Sequence, residues 1–376
     1  MYKSRSQWRL AAVALALPLA LLTACAPGGD GSAGPGSSGE GGSGFGGALG
    51  TPEQEAAFAE LYAAAQAAGE SEIVGYGPPP PRVVVDAFQT RFPGIQVNYQ
   101  QMQGAERIAK LEQEMQTGNH AGDVASDGRT PIVSMSVNEL CQPIEPIMDV
   151  PEEWMGPDSR SLFPYVSIFG TIVNTDLLDP ADAPSSWEEL TAPEWAGEIV
   201  TTSPAAGGAA AFAFAMMLTP EENATQYAGI MEGARDNFSF VSAPAMVPQE
   251  VAQGTYPVGA LAFYPYVLEA QAQGAPIEFL FPFAEGGGNL WTKSGECVIA
   301  NAPHPNAANL WVNWLMSVEG QGKIAEAGWY PTMPDMAPPA GLPSLDEVDL
   351  IEQLSDLDSI EGYAPHLKEV ITFFGG

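Results

Sequence analysis

Apolar residues begin to recur at helical spacing soon after residue 50, and this pattern marks the start of the folded part of the chain. Thr51 is a suitable N-cap, because Pro follows at the first helical position and Gln lies three residues after the cap. Gly69 is placed to end the helix, since glycine tolerates the left-handed conformation found at many helix C-termini. The apolar residues that share one face of this helix are Phe58, Leu61, Tyr62 and Ala65.

Short apolar runs alternate with helical patterns along the rest of the chain. The runs have the length of buried strands, and Gly or Pro bounds several of them. Such alternation favours an α/β sheet with helices on both faces and a binding crevice at the carboxyl ends of the strands. The predicted strands are 72–76, 95–99, 123–126, 198–202, 258–264, 277–281 and 289–300, and the predicted helices include 84–92, 108–118, 205–218 and 267–273.

Two helical patterns make specific predictions about the core. On the helix ending at residue 118, Ile108, Leu111 and Met115 are spaced to line one buried face. In the last third of the chain, Trp311 and Trp314 recur at helical spacing beside leucines. This spacing favours a place in the core, and a stacking surface for a ligand is the alternative.

The first 24 residues combine positive charge with an apolar run. Three basic residues precede the run over 10–22, which is the order found in secretory signals. The run is shorter than the roughly 20 residues needed to span a bilayer. Residues 22–25 (LTAC) resemble the lipobox of bacterial lipoproteins, in which Cys25 becomes the lipid-modified first residue. An ordinary signal peptide with a chance Cys and a membrane-spanning helix remain the alternatives.

Residues 25–50 hold Cys25 and a linker rich in Gly and Ser. The linker has no apolar surface to bury, so we expect a flexible tether. Lipidation at Cys25 would then hold the protein at the outer face of the cell membrane. The sequence therefore predicts an exported, lipid-anchored protein.

Acidic residues dominate the charge of the chain, with 46 Asp and Glu against 13 Lys and Arg. Residues 1–24 contain three of the basic residues and no acidic one, so the remainder keeps ten basic residues and a net charge of −36. A surface of this charge repels polyanions, which excludes nucleic acid and anionic lipid as partners. Solubility and the attraction of cations both remain open as explanations. The 326 residues after residue 50 suffice for two domains.

Several sequence blocks, in order along the chain, resemble bacterial extracellular solute-binding proteins. The resemblance is to the ferric-iron-type group of ABC-importer receptors, which have the type II periplasmic-binding-protein fold. It covers most of residues 70–342. The blocks are 69–76 (GESEIVGY), the pattern of Phe88 with 91–95 (RFPGI), 173–178 (VNTDLL), 183–190 (APSSWEEL), 193–199 (PEWAGEI) and 302–308 (APHPNAA).

This resemblance implies two α/β lobes joined by two crossover strands, with the ligand held between them by lobe closure. Lobe 1 would comprise 51–165 plus 285–376, and lobe 2 would comprise 166–284. The resemblance also implies a monomeric receptor that delivers its solute to an ABC permease in the cytoplasmic membrane. A receptor of this kind is not an enzyme and needs no cofactor.

A small oxygen-rich anion, such as a phosphate ester, phosphonate or carboxylate, suits the predicted crevice. Helix N-termini offer free N–H groups and partial positive charge, and Arg129 is one of the ten basic residues after the signal. Tight turns and helix caps without a ligand are the alternative. The candidate ligand contacts are Tyr76, Gly77, Ser126, Asp127, Arg129 and Thr130 in lobe 1, and Ser203, Ala206, Gly207, Gly208, Tyr264 and Tyr266 in lobe 2.

Ferric iron is the competing ligand, and it would be cargo rather than a cofactor. Iron-binding members of the resembling family place two neighbouring Tyr near this position, whereas here Pro265 separates Tyr264 from Tyr266. Asp127 with Tyr264 could still coordinate iron. The three His of the chain are too scattered to form a local metal motif, so no resident metal site is predicted.

Enzymatic motifs are absent from the sequence. Gly-x-Ser-x-Gly, His-Glu-x-x-His and P-loop patterns do not occur. An exported hydrolase and a purely structural surface lipoprotein remain further alternatives to the receptor.

Cys141 and Cys297 are the thiols that remain if Cys25 is modified. Two Cys in an exported protein favour a disulfide. In the resembling fold, the first ends the opening segment of lobe 1 and the second lies on its returning strand, so a bridge would join the two parts of that lobe. Two buried free thiols are the alternative.

Lipidation at Cys25 makes a direct prediction. The wild-type protein should partition into the detergent phase of a Triton X-114 extraction, because acyl chains anchor it. Cys25→Ser should release it to the medium, whereas continued membrane association of this variant would contradict the lipobox.

Overall fold

The structure is a computed structural model that describes residues 48–102, 104–206, 208–219, 224–281 and 289–375. The predicted signal peptide, Cys25 and Gly207 lie outside the described residues. Within the described ranges, no helix is both long and apolar enough to cross a membrane.

Strands and helices alternate along the described chain, as predicted. The helices are α1 Pro52–Ala68, α2 Arg82–Arg91, α3 Gly104–Thr117, α4 Arg129–Val137, α5 Trp187–Leu190, α6 Gly208–Leu218, α7 Ala224–Asn237, α8 Met246–Ala252, α9 Tyr264–Ala272, α10 Pro305–Leu315, α11 Val318–Glu326, α12 Asp358–Gly362 and α13 Ala364–Gly375. The strands are β1 Glu72–Tyr76, β2 Gln96–Gln100, β3 Val124–Gly128, β4 Leu162–Asn174, β5 Ile199–Thr202, β6 Phe238–Val241, β7 Val258–Phe263, β8 Ile277–Leu280, β9 Trp291–Val298 and β10 Tyr330–Pro331.

The long strand β4 connects two parts of the sheet. The strand order is β2-β1-β3-β9-β4-β7-β5-β6, and β8 and β10 also pair with β4. The first half of β4 pairs with β9 and β10, and its second half pairs with β7 and β8. All thirteen residues of β4 are buried. β4 was not among the predicted strands.

Parallel strands lie at both ends of the sheet. β1 pairs in parallel with β2 and β3, and β5 pairs in parallel with β6 and β7. Parallel strands have their carboxyl ends at the same edge, so the residues after β1 and β3 are neighbours. The same holds for the residues after β5, β6 and β7.

Aromatic side chains form the core beside β1 and β2. Trp311 and Trp314 are fully buried on α10, with ring centroids 5.8 Å apart. Phe88 meets both indoles edge-on, at 5.0 and 5.5 Å. The prediction that Trp311 belongs to the core is confirmed. A separate apolar cluster around α6 and α7, with Phe214 fully buried, packs beside β5 and β7.

Local signals predicted α1 well and α3 less well. Thr51 and Gln54 form the capping box of α1, and Gly69 ends the helix in the left-handed conformation. On α3, however, Met115 is 43% exposed. The buried residues of α3 include Arg107 and Glu114, because both find polar partners inside the protein.

Two helix starts differ from the prediction. A short 3-10 turn over Pro204–Ala206 precedes α6, which begins at Gly208 with a φ of 72°. α9 begins at Tyr264, directly after β7, rather than near residue 267. Tyr264 and Tyr266 therefore lie in the first turn of a helix.

The C-terminal residues form α12 and α13, which the sequence reading did not assign. α12 packs against α4, and α13 packs against α6 and the 3-10 turn before it. The predicted lobe boundaries place α13 in lobe 1 and α6 in lobe 2. Those boundaries stay a prediction.

A disulfide joins Cys141 to Cys297, whose Cα atoms are 5.8 Å apart. Cys297 lies on β9, and Cys141 forms an antiparallel bridge with Ile299 just beyond that strand. The bond closes a loop with a sequence separation of 156 residues. It therefore ties the segment after α4 to a strand that is distant along the chain.

Candidate functional site

Glycine at position 77 allows the loop after β1 to lie directly against β3. Gly77 follows β1 with a φ of 131°, and a Cβ there would lie 1.9 Å from the carbonyl oxygen of Ser126. Any side chain at Gly77 would therefore collide with β3. Gly77 and Ser126 are therefore neighbours, although Ser126 lies within β3 rather than in the predicted loop after it.

Arg107 on α3 binds this junction from inside the protein. Its Nη1 donates to the Ser126 carbonyl at 3.1 Å, and its Nη2 lies 2.6 Å from Asp127 Oδ2. Asp127 Oδ1 accepts the N–H of Gly128 at 2.7 Å. Asp127 is thus an ion-paired carboxylate rather than a free ligand. The sequence reading missed Arg107, although a cation four residues before Leu111, on the same helix face, was a usable signal.

Arg129, at the start of α4, is engaged by the C-terminal segment. Its Nε donates to Asp356 Oδ1 at 2.5 Å, its Nη1 donates to Gln353 Oε1 at 3.0 Å, and its Nη2 donates to the Leu354 carbonyl. Next to it, the Thr130 hydroxyl donates to Ser359 Oγ at 3.3 Å. The guanidinium therefore already contacts a carboxylate.

A second cation lies beside the same carboxylate. Lys293 Nζ is 3.7 Å from Asp356 Oδ1 and donates to the Glu153 carbonyl at 2.6 Å. It also lies 5.0 Å from the centre of the Trp154 ring. Burial lowers the pKa of Lys293, and Asp356 opposes that shift. Two of the few basic residues of this acidic chain thus converge on Asp356. The sequence did not predict this grouping, because Asp356 lies more than 200 residues from Arg129.

Tyr76 points away from the junction. Its side chain is buried, and its hydroxyl donates to Glu114 Oε1 at 2.6 Å. Burial, together with Glu114, raises the pKa of this hydroxyl. The phenol therefore serves the packing of β1 on α3, and only its neighbour Gly77 lies where a ligand contact was expected.

The two tyrosines of α9 have different environments. Tyr264 is buried, and its hydroxyl donates to the Ala340 carbonyl at 2.8 Å. Tyr266 is exposed and packs edge-on against Phe263. Burial raises the pKa of the Tyr264 hydroxyl, and partial burial together with the nearby Glu269 raises the pKa of the Tyr266 hydroxyl. In the part of the chain that the structure describes, no group of three or more His, Cys, Asp or Glu side chains could hold a metal ion.

The turn before α6 follows β5 directly. Ser203 donates its N–H to the Val241 carbonyl at 2.9 Å, which ties the turn to the end of β6. Ala206 and Gly208 are exposed at the start of α6. The C-terminal end of α13 lies against this turn, since a Cβ at Gly375 would be 4.0 Å from Ala205 Cβ. One C-terminal segment, from Gln353 to Gly375, therefore reaches both Arg129 and the turn before α6.

Glu296 is a buried carboxyl group near the junction that the sequence reading did not single out. It lies on β9, opposite Ser126 of β3. The Tyr99 hydroxyl lies 3.1 and 3.0 Å from its two carboxyl oxygens, and Trp311 Nε1 donates to that hydroxyl at 3.1 Å. Burial raises the pKa of Glu296 to about 8.

Comparison with known proteins places the chain in a family. Residues 84–369 match the family described as bacterial extracellular solute-binding protein. An uncharacterised protein of Haemophilus influenzae is 30% identical over 163 residues, which cover 42% of this chain. The match spans 45% of that relative, so the chain covers about half of its length.

Solved structures share the fold at low sequence identity. Iron-bound HitA from Pseudomonas aeruginosa has a TM-score of 0.67 and 19% identity, over 80% of this chain and 99% of that one. AfuA from Actinobacillus pleuropneumoniae, with exogenous fructose-6-phosphate bound, has a TM-score of 0.63 and 21% identity, over 80% and 96%. This likeness confirms the predicted fold class, an α/β, two-lobed type II periplasmic binding protein.

The buried carboxyl of Glu296 predicts a pH-dependent loss of stability. Its pKa is about 8 in the folded protein and about 4.3 in an unfolded chain. Between these values the folded state holds the extra proton, so stability falls as pH rises, by about 1.4 kcal/mol per pH unit. Glu296→Gln should remove this component and gain stability relative to wild type from pH 4 towards pH 8.

Chemical denaturation across this pH range measures the effect. Glu112→Gln, at an exposed position of α3, is the matched control and should follow the wild-type profile. If Glu296→Gln and wild type keep a constant difference in unfolding free energy from pH 4 to pH 8, then Glu296 does not titrate as described.

Proposed function

This chain belongs to the family of bacterial extracellular solute-binding proteins, and we propose that it is the receptor of an ABC importer. In this proposal it captures a small solute by closing two lobes and delivers the solute to a membrane permease. The proposal makes it a binding protein rather than an enzyme. Membership of an extracellular family supports export, and anchoring through Cys25 remains part of the proposal.

The proposed solute is a small oxygen-rich anion, such as a carboxylate, a phosphate ester or a phosphonate. The observation that carries this choice is the position of the Asp356 carboxylate, which contacts Arg129 and lies 3.7 Å from Lys293. The donors at this position, Arg129 and Lys293, are therefore suited to bind an anionic group. In a chain of strongly negative charge, such paired cations supply the local attraction that an anion would otherwise lack.

The start of α6, just after this turn, supplies the second part of the proposed site. The N–H groups of Ser203 and Ala206 already donate to backbone carbonyls. The exposed start of α6 at Gly208 would instead receive the anion, because it is the positive end of a helix that has no acidic residue in its first turn. Gly77 and Ser126 are both buried, and the Gly77 N–H already donates to the Gln100 carbonyl while the Ser126 carbonyl accepts from Arg107, so these two residues would shape the site rather than contact the solute. The phosphate ester bound by AfuA falls in the proposed class, although 21% identity extends only the fold to this chain.

Ferric iron is the alternative cargo, and the HitA structure contains bound iron. A phenolate ligand must lose its proton, and the Tyr264 hydroxyl instead donates to a carbonyl while burial raises its pKa. The carboxylate of Asp127 is paired with Arg107. Tyr266 remains exposed and could still act as a ligand. These contacts favour the anion over the metal.

A thermal-shift screen with phosphate esters, phosphonates, carboxylates and ferric salts tests the class of solute. A solute at 100 times its dissociation constant should add about 2.7 kcal/mol to the unfolding free energy. We expect this gain from an anion and not from ferric salts. Stabilisation by ferric salts alone would reverse the assignment.

Arg129→Ala should weaken binding of the identified anion by about ten- to a hundredfold, because it removes charge-assisted hydrogen bonds. Tyr264→Phe should have a smaller effect on an anion. Arg82→Ala, at an exposed position of α2, controls for the loss of one positive charge. Titration calorimetry decides: unchanged affinity in Arg129→Ala together with lost binding in Tyr264→Phe would replace the anion with the metal.

A further inference from the structure

Every nitrogen of the Arg129 guanidinium is engaged by the C-terminal segment. All three of its nitrogens donate to residues 353–356, and the side chain is only 4% exposed. Asp356 is more accessible, with 21% of its side chain exposed. An anion arriving from solvent therefore meets the carboxylate of Asp356 before it can reach Arg129.

Three hydrogen bonds hold the segment that carries Asp356 on its N-terminal side. The N–H of Ile351 donates to the Asn289 carbonyl at 3.0 Å, and Trp291 Nε1 donates to the Ile351 carbonyl at 2.9 Å. Gln353 Nε2 donates to the Trp291 carbonyl at 2.6 Å. Beyond Gln353, Ser359 on α12 accepts from Thr130. Asp356 thus lies between two residues that are held by hydrogen bonds, Gln353 before it and Ser359 after it.

The stretch between these points can move without loss of regular structure. Residues 351–355 belong to neither a helix nor a strand, and residues 356 and 357 form a turn before α12. Side chains, chiefly that of Arg129, provide its contacts with the site. Segments held in this way open at low free-energy cost compared with core strands.

We propose that Asp356 is a built-in competitor for the solute, occupying Arg129 with its own carboxylate until the anionic group of the solute displaces it. This inference rests on the proposed function, since it concerns how the same site is regulated. Only molecules in which Asp356 has left Arg129 would bind the anion, so the measured dissociation constant would equal the intrinsic one divided by the fraction of molecules in which Arg129 is free.

Asp356→Asn tests the competition. The amide is close in shape to the carboxylate but lacks its charge, so the ion pair with Arg129 is lost. We expect this variant to bind inorganic phosphate, citrate or fructose 6-phosphate about tenfold more tightly than wild type, which corresponds to about 1.4 kcal/mol. Asp358→Asn removes the same charge two residues away, where the carboxylate accepts from Ser355 instead of Arg129, and it should match wild type.

Two further measurements separate competition from a merely structural contact. Asp356→Glu keeps the charge and should bind these probes like wild type, and thermal unfolding of each variant checks that the fold is retained. Hydrogen exchange on the wild-type protein gives a readout that needs no substitution. Saturating probe should increase exchange in residues 353–357, chiefly at Leu354, whose N–H donates to the Tyr363 hydroxyl at 3.1 Å while the segment is in place.

The outcomes distinguish this inference from the proposed function. Equal affinity of wild type and Asp356→Asn for a probe that both bind overturns the competition and leaves the anion receptor standing. Slower exchange at 353–357 on binding overturns it as well. If none of the three probes binds any of these variants, the competition is overturned and the anion class itself loses its support.

Discussion

Strand β4 pairs along both of its edges, and this pairing holds the two parts of the sheet together. A buried strand must satisfy its backbone N–H and C=O groups by pairing, and β4 does so with β9 and β10 in its first half and with β7 and β8 in its second. The parallel strands on either side are therefore attached to one continuous element. In the receptor that we propose, β4 is the element about which the two lobes would move.

Basic residues are scarce in this chain, and two of its arginines are nevertheless buried. Arg107 and Arg129 both lie near the end of β3, but they have different partners. Arg107 pairs with Asp127, two residues before Arg129, and so stabilises the junction itself. Arg129 pairs with Asp356 from the far end of the chain. The Arg107–Asp127 pair shapes the proposed site, and in our proposal the Arg129–Asp356 pair controls access to it.

Local sequence signals predicted the elements whose cause is local. The capping box at Thr51 and the spacing of Trp311 with Trp314 depend on neighbouring residues, and both appear as expected. β4 escaped prediction because a strand buried on both faces shows no alternation of polar and apolar positions, and because it contains Pro164. Tyr76 was predicted to contact the ligand, but its hydroxyl instead donates to Glu114, which lies 38 residues away in sequence. Fold class was therefore predictable, whereas side-chain orientation at the site was not.

The distance between the two lobes, with and without solute, shows whether the receptor closes about β4. Spin labels at Gln113→Cys on α3 and Glu232→Cys on α7, both exposed positions, can be placed in a Cys25→Ser chain. Double electron–electron resonance then measures the distance between α3 and α7. We expect a saturating anionic solute to move the distance distribution to shorter values. An unchanged distribution in a sample whose calorimetry shows full occupancy would contradict a receptor that closes about β4.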